Sequence, residues 1–185
     1  ENEAVVGKAV KECGIPREKL FITSKVWNDY RGYDNVWGAF ERTMDSIGLE
    51  YLDLLLVHWP AHRLKYGDEA ESLNADTWRA FEDIYATGRV KAIGVSNFKE
   101  HHLEALFKTA RIKPMVNQIE IHPGFSRTQL VEYCRENNII VEAWSPLGGD
   151  GGACLKDETI LRIAEKYGKS AAQVCGRWNI ERGII

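Results

Sequence analysis

The sequence predicts an α/β fold in which a parallel sheet is closed as a (β/α)8 barrel. Strand-like and helix-like segments alternate along all 185 residues, and repeated βα units form parallel sheets that are either doubly wound or barrel-shaped. No G-x-G-x-x-G motif stands at a strand-to-helix turn, which counts against a doubly wound dinucleotide-binding sheet. Polar residues follow nearly every strand, as they do in a barrel. Because a complete barrel takes about 250 residues, residues 1–185 are predicted to form most of one barrel, as a single domain.

The most informative strand is the apolar run at residues 52–58 (LDLLLVH). Gly48 precedes it and Pro60 follows it, and a run this short is typical of a strand buried on both faces of a parallel sheet. His58 falls where the run ends. Burial of an imidazole is costly, and this edge of a parallel sheet is where α/β proteins carry their chemistry. The strand therefore predicts a functional site at its end.

Periodicity and capping residues predict the other elements. Apolar residues recur at helical spacing after Asp34, which we expect to cap that helix, and again around Trp78. Ser126 and Ser170 each begin a capping-box pattern, which predicts a helix start. The predicted strands are residues 20–26, 52–58, 90–97, 115–121 and 139–144, with a sixth beginning at 183–185. The predicted helices cover 3–13, the region after Asp34, a segment around 78–85, 99–108, the segment after Ser126, a segment around 160–167 and 170–181.

Composition argues against several classes of partner. The 24 basic and 27 acidic residues are interspersed and leave a net charge of −3, so there is no basic footprint for nucleic acid or an anionic membrane surface. No apolar stretch approaches the roughly 20 residues that span a bilayer, and no signal-peptide pattern is visible. No unusually apolar helix face stands out. We therefore expect a cytoplasmic monomer that binds neither nucleic acid nor membrane.

The chain has four cysteines, Cys13, Cys134, Cys154 and Cys175. None forms a C-x-x-C pair, and their spacing matches no zinc pattern. A disulfide or a metal site is the functional alternative. We expect free thiols in a reducing cytosol, some of them packed in the core.

Five predicted strands bring a polar or aromatic side chain to their C-terminal ends. Singly, each has a structural explanation, since Lys25 can lie on the surface and His58 can bond a backbone carbonyl inside the core. A serine and an asparagine can cap the next helix, a glutamine can satisfy backbone groups, and a tryptophan can fill the core. Five such coincidences at one edge favour a shared site. The set comprises Lys25, His58, Ser96 with Asn97, Gln118 with Glu120, and Trp144.

A metal site at the histidines is disfavoured. His58 and His62 have i, i+4 spacing, but Pro60 interrupts any helix between them and the H-E-x-x-H glutamate is absent. His101 and His102 are expected at a solvated helix start. We predict no metal ion.

The glycine-rich segment at residues 148–152 has two interpretations. It can be a mobile flap or a phosphate contact. It lacks a P-loop lysine, and Asp150 would repel phosphate, so a flexible loop is the expectation.

Five longer motifs stand in order along the chain, and together they resemble the aldo-keto reductase family. They are residues 22–27 (ITSKVW), 56–60 (LVHWP), 88–98 (GRVKAIGVSNF), 116–123 (VNQIEIHP) and 143–148 (AWSPLG). The resemblance covers almost the whole length, and five long motifs in order make a chance match negligible. It implies a (β/α)8 TIM barrel that is incomplete here, with strands 3 to 7 and the start of strand 8. It also implies reduction of aldehydes or ketones by NADPH.

The resemblance implies catalytic roles for Lys25 and His58. They match two members of the family's Tyr/Lys/His/Asp tetrad, in which the tyrosine protonates the carbonyl oxygen and the histidine orients the substrate carbonyl. The lysine lowers the pKa of the tyrosine, and the aspartate pairs with the lysine. The chemistry fits, because a phenol with a pKa of about 10 is a poor acid at pH 7 until a nearby cation stabilises its phenolate.

Cofactor and substrate roles follow from the same resemblance. The residues that match groups around the nicotinamide and the pyrophosphate are Ser96, Asn97 and Gln118 at the carboxamide, Trp144 stacked on the ring, and Ser145, Leu147 and Gly148 in the pyrophosphate loop. Trp27 and Trp59 match aromatic walls of the substrate pocket, with Tyr30 beside them. Ordinary packing is the alternative for both tryptophans.

Part of the family pattern falls outside these residues. The family tyrosine precedes an Asn-Glu pair that Asn2-Glu3 resembles, which places that tyrosine ahead of Glu1 and the aspartate earlier still. The segment that grips the adenosine 2′-phosphate falls beyond Ile185, so the preference for NADPH over NADH rests on the resemblance alone. We expect an NADPH-dependent carbonyl reductase. The alternatives are a nicotinamide-binding regulatory or structural protein on the same barrel, and an inactive fragment.

Overall fold

The computed structural model describes residues 2–149 and 151–185, and these fall into two compact units. The first unit extends to Met115, and the second is Val116–Ile185. Each contains parallel strands linked by helices, as the alternation of the sequence predicts. None of the helices in the described residues is long and apolar enough to cross a membrane. The single-domain assignment of residues 1–185 stays a prediction.

The described part of the first unit contains three strands, β1–β3, and five helices, α1–α5. In chain order they are α1 (Glu3–Glu12), β1 (Thr23–Val26), α2 (Tyr33–Ile47), β2 (Leu54–Val57), α3 (Arg63–Tyr66), α4 (Ala70–Ala86), β3 (Ile93–Ser96) and α5 (Glu100–Phe107). Short 3₁₀ turns occupy Arg17–Lys19 and Gly67–Glu69. β2 pairs in parallel with both β1 and β3. The predicted strands and helices are confirmed, although each strand is shorter than predicted.

The core of this unit is built from β2 and the apolar faces of α2 and α4. All four residues of β2 are buried, which confirms the prediction of a strand covered on both faces. Phe40 of α2 and Phe81 of α4 are fully buried, and Trp78 stacks on Phe81 with ring centroids 5.7 Å apart. The helical periodicity in the sequence therefore identified the faces that pack inward.

The start of α2 differs from the sequence prediction. Asp34 was expected to cap this helix, but it lies inside the first turn and Gly32 occupies the N-cap without a side-chain bond. Two α4 side chains bond the first amides instead: Gly32 N donates to Thr77 Oγ1 at 3.0 Å and Tyr33 N donates to Asp76 Oδ2 at 2.9 Å. The capping prediction was wrong because a neighbouring helix satisfies the free amides of this terminus.

Glu82 of α4 is a buried carboxylate, only 3% exposed. It accepts hydrogen bonds from Arg111 N at 2.6 Å, Ile112 N at 2.7 Å and Arg111 Nε at 2.9 Å. Trp78 Nε1 donates to the Ile112 carbonyl at 2.9 Å. These four bonds hold the turn after α5 against α4. Burial of this charge is tolerated because all of its partners are donors.

The elements of the second unit also follow the predicted order. They are β4 (Val116–Glu120), α6 (Thr128–Glu136), β5 (Ile140–Trp144), α7 (Glu158–Tyr167) and α8 (Ala171–Glu181), with a 3₁₀ turn at Ala153–Lys156. β4 and β5 are parallel. In α7, Ile160 and Ala164 are buried, whereas Ile163 and Tyr167 are exposed, so only half of the predicted apolar face packs inward.

The two predicted capping boxes of this unit have different outcomes. Ser170 accepts from Gln173 N at 3.2 Å and Ser170 N donates to Gln173 Oε1 at 2.9 Å, which confirms that box. The box at Ser126 is wrong, because α6 begins one residue later with Arg127 as a left-handed N-cap. The Ser126 hydroxyl instead lies 3.1 Å from the Thr128 hydroxyl.

The predicted sixth strand is present only as backbone pairing. Residues 183–185 are too short to form a named strand. Ile185 N nevertheless donates to the Val141 carbonyl at 3.1 Å, and Ala143 N donates to the Ile185 carbonyl at 2.7 Å. One residue bonding two alternate residues of a neighbour is the pattern of a parallel ladder, so Ile185 extends the sheet beside β5.

We expect Glu82→Gln in the full-length protein to lower the free energy of unfolding by about 2 kcal/mol, because the amide leaves buried backbone donors poorly satisfied. Urea denaturation measures the change. Glu71→Gln on the same helix is the matched control, since it removes an exposed pair with Arg63 that is worth under about 1 kcal/mol. Equal losses in the two variants would contradict the assigned role of Glu82.

Candidate functional site

The register of β1–β3 places three predicted site residues on one face of the sheet. Lys25 is paired with Leu56, and Leu56 is paired with Gly94. His58 and Ser96 each follow two residues later on their own strands. Side chains two residues apart point to the same face and are separated by about 6–7 Å along the strand. The C-terminal edge therefore presents His58 and Ser96 side by side. Lys25 lies on the same face, level with the residues two positions before them.

His58 is half-buried at this edge. Its backbone N donates to the Val26 carbonyl at 3.2 Å, which continues the pairing of β2 with β1. The Trp27 indole meets the imidazole edge to face, with ring centroids 4.8 Å apart and an interplanar angle of 72°. Burial, and then the positive charge of Lys25, lower the pKa of His58 below its ordinary value. The imidazole is therefore neutral at pH 7 and retains both a donor and an acceptor nitrogen.

Asn97 ties the ends of two strands together. Its Nδ2 donates to the His58 carbonyl at 3.0 Å and to the Ser96 hydroxyl at 3.0 Å. Its φ of 64° lies in the left-handed region, which asparagine tolerates better than most residues. Ser96 is almost fully buried beneath it. Helix capping was the alternative role for Ser96 and Asn97. That alternative is wrong, because the N-cap of α5 is Lys99.

Arg31, which the sequence prediction did not assign, holds two loops of this edge in place. Its guanidinium donates to the Asn28 carbonyl at 2.6 Å and to the Trp59 and Pro60 carbonyls at 2.8 Å each. The loop after β1 is thereby fixed to the loop after β2. A lone arginine between two tyrosines, just after a site-bearing strand, was the available signal. Its partners are backbone carbonyls, which no sequence pattern identifies.

The predicted aromatic residues lie at the surface of the first unit. Trp27 is 53% exposed, Trp59 43% and Tyr30 42%. Lys25, Trp27 and Tyr30 line a groove of about 680 Å³ between β1 and helices α1 and α2. Trp59 lies outside that groove and is held at its carbonyl by Arg31. The three aromatic side chains are therefore accessible, but they do not line one cavity among the described residues.

In the second unit the predicted residues lie on β4, on β5 and in the loop that follows. Gln118 is paired with Glu142, and Gln118 Nε2 donates to Glu142 Oε1 at 2.9 Å. Two residues further on, Glu120 is level with Trp144 on the same face. Gln118 thus has its amide oriented by a carboxylate, and Trp144 stands at the C-terminal end of its strand.

The loop after β5 is held in unusual backbone conformations. Ser145 has a φ of 50°, and Gly148 and Gly149 have φ values of 99° and 66°. Gly148 N donates to the Ser145 carbonyl at 3.1 Å, and the Leu147 carbonyl accepts from Cys154 N at 3.2 Å. A Cβ on Gly148 would lie 2.6 Å from Cys154 N, so only glycine fits there. The sequence predicts a flexible loop at residues 148–152. Asp150 of that segment lies outside the described residues.

Two of the histidines discussed with the metal alternative have structural roles. His62 caps α3 by accepting from Leu64 N at 3.1 Å. His102 accepts from Lys99 N at 3.1 Å, and burial together with nearby positive groups lowers its pKa to about 4. His101 is exposed whereas His102 is half-buried, so the predicted solvated helix start holds for one of these two neighbours. Within residues 2–149 and 151–185, no group of three potential ligands is arranged to hold a metal.

Comparison with known proteins identifies the family. The model of the Aldo/keto reductase family matches residues 1–185. The chain belongs to this family. Its fold class, predicted as an incomplete (β/α)8 barrel, is confirmed by solved aldo-keto reductases. One of these, MGS-M4 from a deep-sea metagenome library of the Medee basin, is 43% identical with a TM-score of 0.92, over 100% of this chain and 65% of that one.

Curated relatives with reductase names are closely similar to this chain. A 9,11-endoperoxide prostaglandin H2 reductase of Trypanosoma cruzi is 48% identical and a glyoxal reductase of Bacillus subtilis is 49% identical. Each match covers 100% of this chain but only 62% and 63% of the respective relative. A Bombyx mori aldo-keto reductase solved in complex with NADP is 34% identical, with a TM-score of 0.87 over 100% of this chain and 64% of that one.

We expect Asn97→Ala to destabilise the full-length protein about 1–2 kcal/mol more than Asn97→Gly does. Both variants lose the amide bonds to His58 and Ser96, but only alanine places a Cβ in the left-handed region. Thermal or urea unfolding of the pair measures the difference. If the two variants are equally stable, the strain at this position has been assigned incorrectly.

We expect the NMR titration of the His58 ring to have its midpoint below about 6.5. Lys25→Met should raise that midpoint, since removal of a neighbouring cation stabilises the imidazolium. It should not restore the ordinary value, because burial is the larger cause of the shift. Lys91→Met, at the opposite end of the strands, is the control. An unchanged midpoint in Lys25→Met would show that the two groups do not interact.

Proposed function

We propose that the full-length protein is a reductase that converts aldehydes or ketones to alcohols with NADPH. The observation that carries the proposal is the placement of Lys25 and His58 on one face at the C-terminal edge of paired strands. Family membership and two reductase-named relatives support the same reaction. A purely structural protein has no need of a cation beside a neutral imidazole at this edge.

His58 is proposed to orient the substrate carbonyl. Its lowered pKa keeps it neutral at pH 7, so one ring nitrogen can donate a hydrogen bond to the carbonyl oxygen. The edge-to-face contact with Trp27 restrains the plane of the ring. Asn97 restrains the backbone of the same residue through its carbonyl. These contacts reduce the motion of the donor before substrate binds, which is the basis of catalytic preorganisation.

Lys25 is proposed to supply a fixed positive charge near the reacting carbonyl. In the family pattern this charge lowers the pKa of the tyrosine that protonates the carbonyl oxygen. A cation within about 4–6 Å favours a phenolate in the same way that it disfavours an imidazolium. After burial, the charge of Lys25 is the second cause of the lowered pKa of His58.

The donor and acceptor groups present fit a nicotinamide cofactor. NADPH supplies a hydride to the carbonyl carbon when it is bound. In the first unit, the Ser96 hydroxyl and the Asn97 amide are proposed to hydrogen-bond the carboxamide. In the second unit, Gln118 is proposed to do the same and Trp144 to stack on the ring. Solved relatives that contain NADPH or NADP support this choice of cofactor.

The loop after β5 is proposed to follow the pyrophosphate of the cofactor. The bare backbone at Gly148 and Gly149 gives a close approach that a side chain would block. Ser145 adds a hydroxyl and Leu147 fixes the loop through its carbonyl. The lack of a side chain at Gly148 is itself required by the packing of Cys154.

The substrate is proposed to be a small carbonyl compound. Trp27, Tyr30 and Trp59 expose aromatic surface near the catalytic edge, which suits an apolar substituent on an aldehyde or ketone. A monomer in the cytoplasm remains the expectation from the sequence. The relatives include both a glyoxal reductase and a prostaglandin H2 reductase, so a panel of aldehydes is the appropriate assay.

We expect Lys25→Met and His58→Ala each to lower kcat by about 100-fold or more in the full-length protein, because each removes a group used in proton transfer or carbonyl orientation. NADPH oxidation with a panel of aldehydes measures the change. Lys91→Met is the control, since Lys91 lies beside the Tyr51 ring at the other end of the strands. Near-normal turnover in either variant would exclude the assigned role. NADPH binding without any turnover by the unaltered protein would favour a cofactor-binding regulatory protein instead.

A further inference from the structure

We propose that Cys154 and Cys175 form a reversible disulfide, with His122 as the base for Cys154 and a hydroperoxide as the oxidant. The reductase chemistry proposed above makes no use of these three residues. All of them lie in the second unit.

The two thiols meet in one buried cluster. Cys154 belongs to the 3₁₀ turn at Ala153–Lys156, and Cys175 lies on α8. They are 3% and 0% exposed, and they pack in the same cluster as Ile160. Burial, and then the neighbouring Cys154, raise the pKa of Cys175. Two thiols that pack in one small buried cluster can be joined by a disulfide when the 3₁₀ turn moves toward α8.

An imidazole distinguishes Cys154 from the other buried thiols. His122 Nδ1 lies 3.5 Å from Cys154 Sγ, and His122 Nε2 lies 3.8 Å from Glu120 Oε1. The carboxylate favours a proton on Nε2, which leaves Nδ1 free to accept the proton of the thiol. A thiol beside an imidazole that has a carboxylate near its other nitrogen is an arrangement that can generate a thiolate nucleophile.

Cys134 provides an internal comparison. It is as fully buried as Cys175. Its sulfur receives a hydrogen bond from Asn117 Nδ2 at 3.7 Å, and an amide cannot take a proton from a thiol. Burial alone therefore does not predict reactivity, whereas the neighbour of Cys154 does.

The chemistry proceeds in two balanced steps. The Cys154 thiolate attacks one peroxide oxygen, so that an S–O bond forms and the O–O bond breaks. The leaving oxygen takes the proton held by His122 and departs as water or an alcohol. The Cys175 sulfur then attacks the sulfenic acid of Cys154, an S–S bond forms, and the S–O bond breaks with release of water. The two thiols lose two electrons and the peroxide gains them.

The disulfide acts on the loop after β5. A Cβ on Gly148 would lie 3.0 Å from Cys154 Sγ, so the loop backbone packs directly on this sulfur. Ala153 N donates to the Gly148 carbonyl at 3.2 Å, and Cys154 N donates to the Leu147 carbonyl at 3.2 Å. Drawing Cys154 toward α8 must therefore disturb Leu147 and Gly148. This consequence rests on the proposed function, which assigns that loop to the cofactor pyrophosphate.

Peptide mapping tests the disulfide independently of any activity. The full-length protein is treated with hydrogen peroxide, the remaining thiols are alkylated, and the protein is digested with trypsin. Trypsin places Cys154 in residues 136–156, Cys175 in 170–177 and Cys134 in 128–135. We expect a cross-linked pair of 136–156 with 170–177 that disappears on treatment with dithiothreitol, while Cys134 stays alkylated. If no such pair forms, or if Cys134 oxidises as fast as Cys154, the proposal is wrong.

Two variants test the assigned order and base. In Cys175→Ser the sulfenic acid should persist on Cys154 and be trapped by dimedone, and trapping at Cys134 instead would overturn the assignment. In His122→Asn the oxidation of Cys154 should slow by about tenfold or more, and an unchanged rate would remove His122 from the mechanism. Cys13→Ser in all samples prevents cross-links between molecules through the exposed thiol.

A binding measurement tests the consequence for the loop. We expect NADPH to bind the peroxide-treated protein about fivefold or more weakly than the reduced protein, with recovery after dithiothreitol. Equal affinities would show that the disulfide does not act on the loop. If the reduced protein itself does not bind NADPH, the proposed function fails, whereas peptide mapping still decides the disulfide.

Discussion

The backbone pairing of β2 with β1 and β3 is the constraint on which the candidate site depends. Parallel pairing fixes which residues are level with each other, and the two-residue repeat of a strand fixes which face each side chain takes. Lys25, His58 and Ser96 share a face only because their strands hold this register. A slip of one residue in β2 would turn the imidazole to the other face. The complete burial of β2 makes such a slip costly.

Contacts after the strand ends convert this placement into a defined geometry. Asn97 holds the His58 carbonyl, Trp27 restrains the imidazole, and Arg31 fixes the neighbouring loop through backbone carbonyls. The same close packing also affects the pKa of His58. Burial and the charge of Lys25 act in the same direction on His58, so the ring is neutral wherever the proposed reaction would use it.

The sequence predicted the features that arise from local pattern and missed those that arise from tertiary contact. The apolar run of β2 and the Ser170 capping box depend on residues close in the chain, and both are confirmed. The caps expected at Asp34 and Ser126 failed. Thr77 and Asp76, more than forty positions from the amides they bond at the start of α2, could not be recognised from the sequence around Asp34. Arg31 was missed for the same reason, because its partners are carbonyl groups of another loop.

The cysteines show how one packing constraint can serve two purposes. From spacing alone they were expected to be free thiols, and the structure has them unbonded, with three of them buried. What the spacing could not reveal is that Cys154 packs against a glycine of the loop assigned to the cofactor and also against His122. The contact between Gly148 and Cys154 is what forbids a side chain at Gly148. It also places the Cys154 sulfur directly against the loop backbone, so that the disulfide proposed for this sulfur would displace the loop.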